Sequence, residues 1–135
     1  MTPLRILIAS TISLLLFGGC SEENRKVEDT GKAFLENLYT CRFRACDVLC
    51  TENGRKEVRW FASNLTEDDL KLILPDVEVK AERCEIADSE ATALFRASNV
   101  IVCDSLEQKG HIGERSLKVI FRKEKGTWKV DKLKW

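Results

Sequence analysis

The sequence predicts an α+β domain: N-terminal helices packed on a curved four-stranded antiparallel sheet. Three observations lead there. Apolar residues recur at helical spacing as far as Pro75 and alternate with polar ones after it. Turn signals divide the alternating part into four runs. Two of those runs change parity midway, as a bulge or sharp bend does, and two bends in one small sheet imply strong curvature.

Taken in chain order, Met1 to Cys20 stands apart from the domain. Arg5 is its only charge, and Ile6 to Phe17 is almost wholly apolar. That core is shorter than the roughly 20 residues a membrane-spanning helix needs. A short basic start, an apolar core and small residues at the end describe a secretory signal peptide. Leu16-Phe17-Gly18-Gly19-Cys20 resembles the lipobox of bacterial lipoproteins, with Phe17 where Leu is usual. The resemblance implies cleavage before Cys20, a lipid on its thiol and an acylated new amino terminus. Residues 1–19 are then a lipoprotein signal peptide, 20–26 the lipidated cysteine with a solvated tether, and 27–135 one domain. Ser21-Glu22-Glu23 resembles sorting signals of outer-membrane lipoproteins, with the periplasmic and surface leaflets both open. The expected location is the bacterial cell envelope, with the membrane as a partner through Cys20.

From Val27 to about Thr51 the pattern is helical. Val27, Phe34 and Leu38 share a face, and Tyr39, Phe43, Cys46 and Cys50 step by four, three and four. A break near Thr40-Cys41 divides the stretch in two, and Asn53-Gly54 reads as a stop. Glu57 to Leu65 follows with Val58, Phe61 and Leu65 on one side. Thr66-Glu67-Asp68-Asp69 supplies an N-cap and acids in a first turn, and Pro75 ends that helix near Leu74.

Beyond Pro75, Val77, Val79 and Ala81 alternate with Glu78, Lys80 and Glu82. Asp88-Ser89 turns the chain into Ala91, Ala93, Phe95 and Ala97, after which apolar residues move to Val100 and Val102. Leu117, Val119 and Phe121 form the third run. Lys125-Gly126 leads into Trp128 and Val130, and the parity then shifts to Leu133 and Trp135.

The order of these elements, with Ala33-Phe34-Leu35-Glu36-Asn37-Leu38-Tyr39 early and Gly126-Thr127-Trp128-Lys129-Val130 late, resembles the nuclear-transport-factor-2-like (NTF2-like, cystatin-like) superfamily over residues 27–135. It is most similar to small lipoproteins of that superfamily with no known function. The resemblance implies a cone enclosed by helices and sheet, for which Tyr39, Phe43, Phe95 and Trp128 are the candidate pocket residues.

Chemistry is sparse. Isomerases of the superfamily need a catalytic carboxylate plus a Tyr and a protonated acid; Tyr39 is the only tyrosine, and Asp104 the acid nearest a strand end. His111, the only histidine, lies between Gly110 and Gly113 and is expected in a hairpin loop, poor support for a general base. No nucleophile elbow or phosphate loop is present, and the cysteine spacings are not those of a zinc site. Neither cofactor nor metal is expected. Besides Cys20, five cysteines remain, an odd number that forbids complete internal pairing. In an exported protein a disulfide from Cys46 or Cys50 to Cys84 or Cys103 is the natural expectation, with buried free thiols the alternative.

Equal numbers of basic and acidic residues, 22 of each, argue against nucleic-acid binding. The balance conceals an asymmetry, because Glu114 to Trp135 holds eight basic residues against three acids. These readings converge on a non-enzymatic, membrane-anchored module that binds a small molecule or envelope protein. The alternatives are a small isomerase- or dehydratase-like enzyme using the cone, and a homodimeric structural protein joined through its sheet face.

Overall fold

The computed structural model describes residues 22–103 and 110–135. Cys20, the leader before it and Asp104 lie outside these. Helix α1 occupies residues 22–39, followed by α2 (Phe43–Asp47), α3 (Glu52–Ser63) and α4 (Glu67–Leu72). Strands β1 (Glu78–Ala87), β2 (Glu90–Cys103), β3 (Gly110–Glu124) and β4 (Thr127–Lys134) form one antiparallel sheet in chain order. The α+β class, the helices preceding the sheet and the meander are as the sequence predicts.

Helix α1 starts earlier than the hydrophobic pattern shows. Residues 22–26, expected in the tether, are already helical, and Glu23 is held there by Trp128 Nε1, which donates to its Oε2 at 2.9 Å. The helix ends where Cys41 turns left-handed, with φ 62°. Arg42 N then donates to Asn37 O at 2.8 Å and Cys41 N to Leu38 O at 3.1 Å, which satisfies carbonyls the helix leaves open. Phe34, Leu35 and Leu38 are fully buried in one core with Phe95, Leu117, Val119 and Phe121. Each such side chain contributes about 1.5–3 kcal/mol when wholly removed from water.

Two corrections concern the next segment. Cys46 and Cys50 do not share a helical face, because α2 stops at Asp47 and Cys50 forms a parallel bridge with Val130. Val130 N donates to Leu49 O at 2.9 Å and Thr51 N to Val130 O at 2.8 Å, so this short stretch covers the edge of β4. Asn53-Gly54 is not a stop but lies in the first turn of α3. Thr51 caps that helix, its Oγ1 accepting from Gly54 N at 3.1 Å. Glycine is required at 54 by proximity: a Cβ there would collide with Val130 O and lie 2.6 Å from Cys50 Cβ. At α4, Thr66 and Asp69 form a reciprocal capping box, with Asp69 N donating to Thr66 Oγ1 at 3.1 Å and Thr66 N to Asp69 Oδ2 at 3.0 Å.

Both parity switches are bulges. In β2 the register slips between Ser98 and Val100, with Asn99 left-handed at φ 60°. Burial passes from the alternating row ending at Ala97 to the adjacent Val100 and Ile101. In β4, Asp131 is the extra residue opposite the Ile120–Phe121 step. It turns inward, where Thr51 Oγ1 donates to its Oδ1 at 2.7 Å. A third bulge, at Glu82 of β1, moves the inward row from Val79 and Ala81 to Cys84 and Ile86, a change of parity that was not read from the sequence.

Candidate functional site

The bends bring four elements around one pocket of about 180 Å³. Tyr39, at the end of α1, forms its floor. Trp60 and Phe61 of α3, with its cap residue Asn64 and Leu65 just beyond, make one wall. Ile101 and Cys103 of β2, Arg115 of β3 and Trp135 after β4 make the other.

Four of the nine lining residues are aromatic, and their rings are ordered against one another. Phe61 and Trp135 stack at 5.7 Å with 8° between their planes, and Tyr39 meets Phe61 edge-on at 5.5 Å. Trp60 packs at 6.0 Å from Trp135. Such offset and edge-to-face contacts suit the ring quadrupoles. The Arg115 guanidinium lies 5.3 Å over the Trp135 ring, within cation–π range. Trp60 remains 55% exposed and Trp135 37%, so the pocket opens between two tryptophans.

One polar atom is out of balance. The Tyr39 hydroxyl is buried and has no hydrogen-bond partner among the described residues. Burial pushes its ionisation well above the ordinary phenol range, while the nearby Arg115 charge opposes that rise. The group therefore stays protonated, a donor with no acceptor among the described residues. The Asn64 amide is already engaged, giving a hydrogen bond to Trp60 O at 2.7 Å. Burial, reinforced by Asp69, raises the Cys103 thiol, and Arg115 again opposes.

Of the candidate pocket residues, the structure brings only Tyr39 to this wall. Phe43 packs behind it, 6.4 Å from Phe61. Phe95 lies in the core against Phe121 and directly under Gly31 of α1, where a Cβ would strike its ring. Trp128 is occupied with Glu23. Trp60, Phe61, Arg115 and Trp135 were not read as pocket residues from sequence. The shifted parity of β4, which puts Leu133 and Trp135 on one side, was the available signal for the last of them.

The expected disulfide is not formed, since Cys41, Cys46, Cys50, Cys84 and Cys103 are free thiols. Cys46 is buried and donates to Phe34 O at 3.5 Å, and its ionisation is pushed up to about 12 by burial. Cys50 donates to Asp47 O at 3.8 Å. Cys84 lies opposite Ala93 and so sits roughly 30 Å along β2 from Cys103. His111 is not in a loop: it pairs with Val102 in β3 and is exposed. The strands are simply longer than their alternating cores, reaching 15 residues in β3. Among the described residues no group of three His, Cys, Asp or Glu is placed to hold a metal, and no helix is long and apolar enough to cross a membrane.

No family model and no curated protein sequence matches the chain. Solved structures do. A designed NTF2-like protein, Rd1NTF2_05 carrying five substitutions, is 8% identical with a TM-score of 0.48, over 86% of this chain and 95% of its own. A SEC-C motif containing protein from Rhodopseudomonas palustris is 13% identical, TM-score 0.47, over 73% and 69% respectively. The association domain of C. elegans CaMKII is 12% identical, TM-score 0.44, over 74% and 84%. The described residues themselves form helices on a curved four-stranded antiparallel sheet with a pocket at one end, the α+β architecture the sequence predicts.

Proposed function

We propose that the chain is a lipid-anchored envelope protein whose pocket binds, without transforming, a small flat ligand that carries a hydrogen-bond acceptor. The observation that carries this is the Tyr39 hydroxyl, buried beside aromatic rings and without a partner among the described residues. A buried polar group without a partner costs about 1–3 kcal/mol, a loss that an acceptor on a bound molecule would recover. Stacked faces favour a planar apolar body, and Arg115 favours an acidic substituent. A pocket of about 180 Å³ compares with the roughly 150 Å³ that holds benzene, so one or two rings fit.

A binding role is supported over an enzymatic one by the lining itself. None of its described residues is a carboxylate, and the Cys103 thiol is shifted away from the thiolate that a nucleophile needs. Anchoring is supported by the Leu16-Phe17-Gly18-Gly19-Cys20 sequence.

Calorimetric titration of the full chain in detergent with indole, benzoate and 2-naphthoate tests the pocket. The expected result is one saturable site, with benzoate or naphthoate preferred. Tyr39→Phe should weaken it about ten-fold, the value of one hydrogen bond, and Trp135→Ala should abolish it. Binding that survives Trp135→Ala unchanged would overturn the assignment. Mass spectrometry of the membrane fraction tests the anchor, which an unmodified Cys20 would exclude.

A further inference from the structure

The outer face of the sheet is neutralised on one half and uncompensated on the other. Across β1, β2 and the start of β3 its charges are paired: Arg96 reaches Glu82 at 3.2 Å and Glu114 at 3.7 Å, and Arg83 reaches Glu85 at 3.1 Å. Along the rest of β3 and on β4 they form no ion pairs among the described residues, although Glu90 of β2 stands opposite Arg122. Lys118 stands directly opposite Lys134, Ile120 opposite Lys132, and Arg122 opposite Lys129. Among the described residues none of these five cations lies within ion-pairing distance of an acid. Lys129 alone has a partner, donating to Val48 O at 2.6 Å. Opposed side chains in a sheet are about 5 Å apart, and like charges so placed oppose folding. The fold therefore maintains a repulsive cluster around a half-buried isoleucine.

We infer that this β3–β4 face rests on an anionic lipid surface. Charge complementarity is the first ground, since a flat array of cations suits a plane of headgroups rather than a pocketed ligand. The second is placement. Glu23 fastens the start of α1 to this same hairpin through Lys123 at 3.5 Å and Trp128 at 2.9 Å. Glu23 is three residue steps from Cys20, a reach of at most about 11 Å. Those contacts lie on the inward side of the hairpin at its turn, so an acyl chain on Cys20 holds the turn end of β3 and β4 close to the bilayer. This placement rests on the anchored reading above. A second copy of the chain fits less well, because a two-fold contact centred here sets the cations against themselves.

Lysine acetylation of the full chain, reconstituted into vesicles and read by peptide mass spectrometry, tests the inference. Vesicles of phosphatidylcholine alone are compared with vesicles also containing phosphatidylglycerol. Lys118, Lys132 and Lys134 should react about five-fold more slowly in the anionic vesicles at low salt. Lys80, on β1, should not change, and high salt should remove the difference. Co-flotation with equal reactivity in both vesicle types would overturn the inference and leave the anchor standing. Flotation with anionic vesicles alone, with the three lysines protected, would keep the inference and remove the anchor. Protection in both vesicle types that rises with protein density would give the face to a second copy, overturning the lipid assignment.

Discussion

Tyr39 shows how one atom links stability to binding. Its ring packs against Phe61 and Trp135, while its hydroxyl costs the fold a hydrogen bond. Tyr39→Phe keeps the packing and removes the cost, so it should stabilise the free protein by about 1 kcal/mol in urea titration while weakening benzoate. Opposite signs from one substitution distinguish a ligand contact from an ordinary core residue. The ionisation has a clear sign as well. Because burial raises the folded value above the unfolded one, the stability Tyr39 lends is fully present below about pH 10 and declines as pH rises beyond it. With a single tyrosine in the chain, phenolate absorbance isolates it. Folded protein should give no phenolate step at pH 10–11, and the signal should appear only together with alkaline unfolding.

The elements were legible in the sequence wherever a repeat or a cap was local. Alternation gave the four strands, changes of parity gave the bulges at Asn99 and Asp131, and Thr66 with Asp69 gave the start of α4. What was hidden depended on distant neighbours. Gly54 looks like a helix terminator because nothing nearby in sequence reveals Val130 pressing on it. The pocket stayed hidden for the same reason: strand pairing carries Arg115 and Trp135 to α3, and neither residue is unusual where it stands. Phe95 and Trp128 are apolar on their strands whether they line a cavity or fill a core. The Gly54 reading makes a prediction at this scale. Gly54→Ala must push α3 from β4, and because the obstacle is backbone it should destabilise by about 1–3 kcal/mol in chemical denaturation. Elsewhere in a helix the same change is favourable by up to 1 kcal/mol or so, so the sign itself checks the close approach.

Across the whole molecule, one end of α1 is governed by residues about a hundred positions away. Glu23 accepts from Trp128 and Lys123 and also pairs with Lys26 at 3.5 Å. Its carboxyl is held below the usual range, chiefly by the Trp128 hydrogen bond. The linkage follows: what this tie contributes is present above the ordinary glutamate range and is lost as pH falls through the lowered folded value. Glu23→Gln should remove that acid-dependent change, which the NMR resonance of the Trp128 indole N–H would follow, and leave the sheet intact by circular dichroism. The tie also orders events in time. Every strand of the meander pairs with its neighbour in sequence, so the sheet can zip up from local hairpins. The contact from Glu23 to Trp128 spans 105 positions, and its partner site exists only once β3 and β4 have turned at Lys125-Gly126. The first turns of α1 therefore close last, and by the same logic they open first, exposing amide hydrogens to exchange while the sheet is still shut.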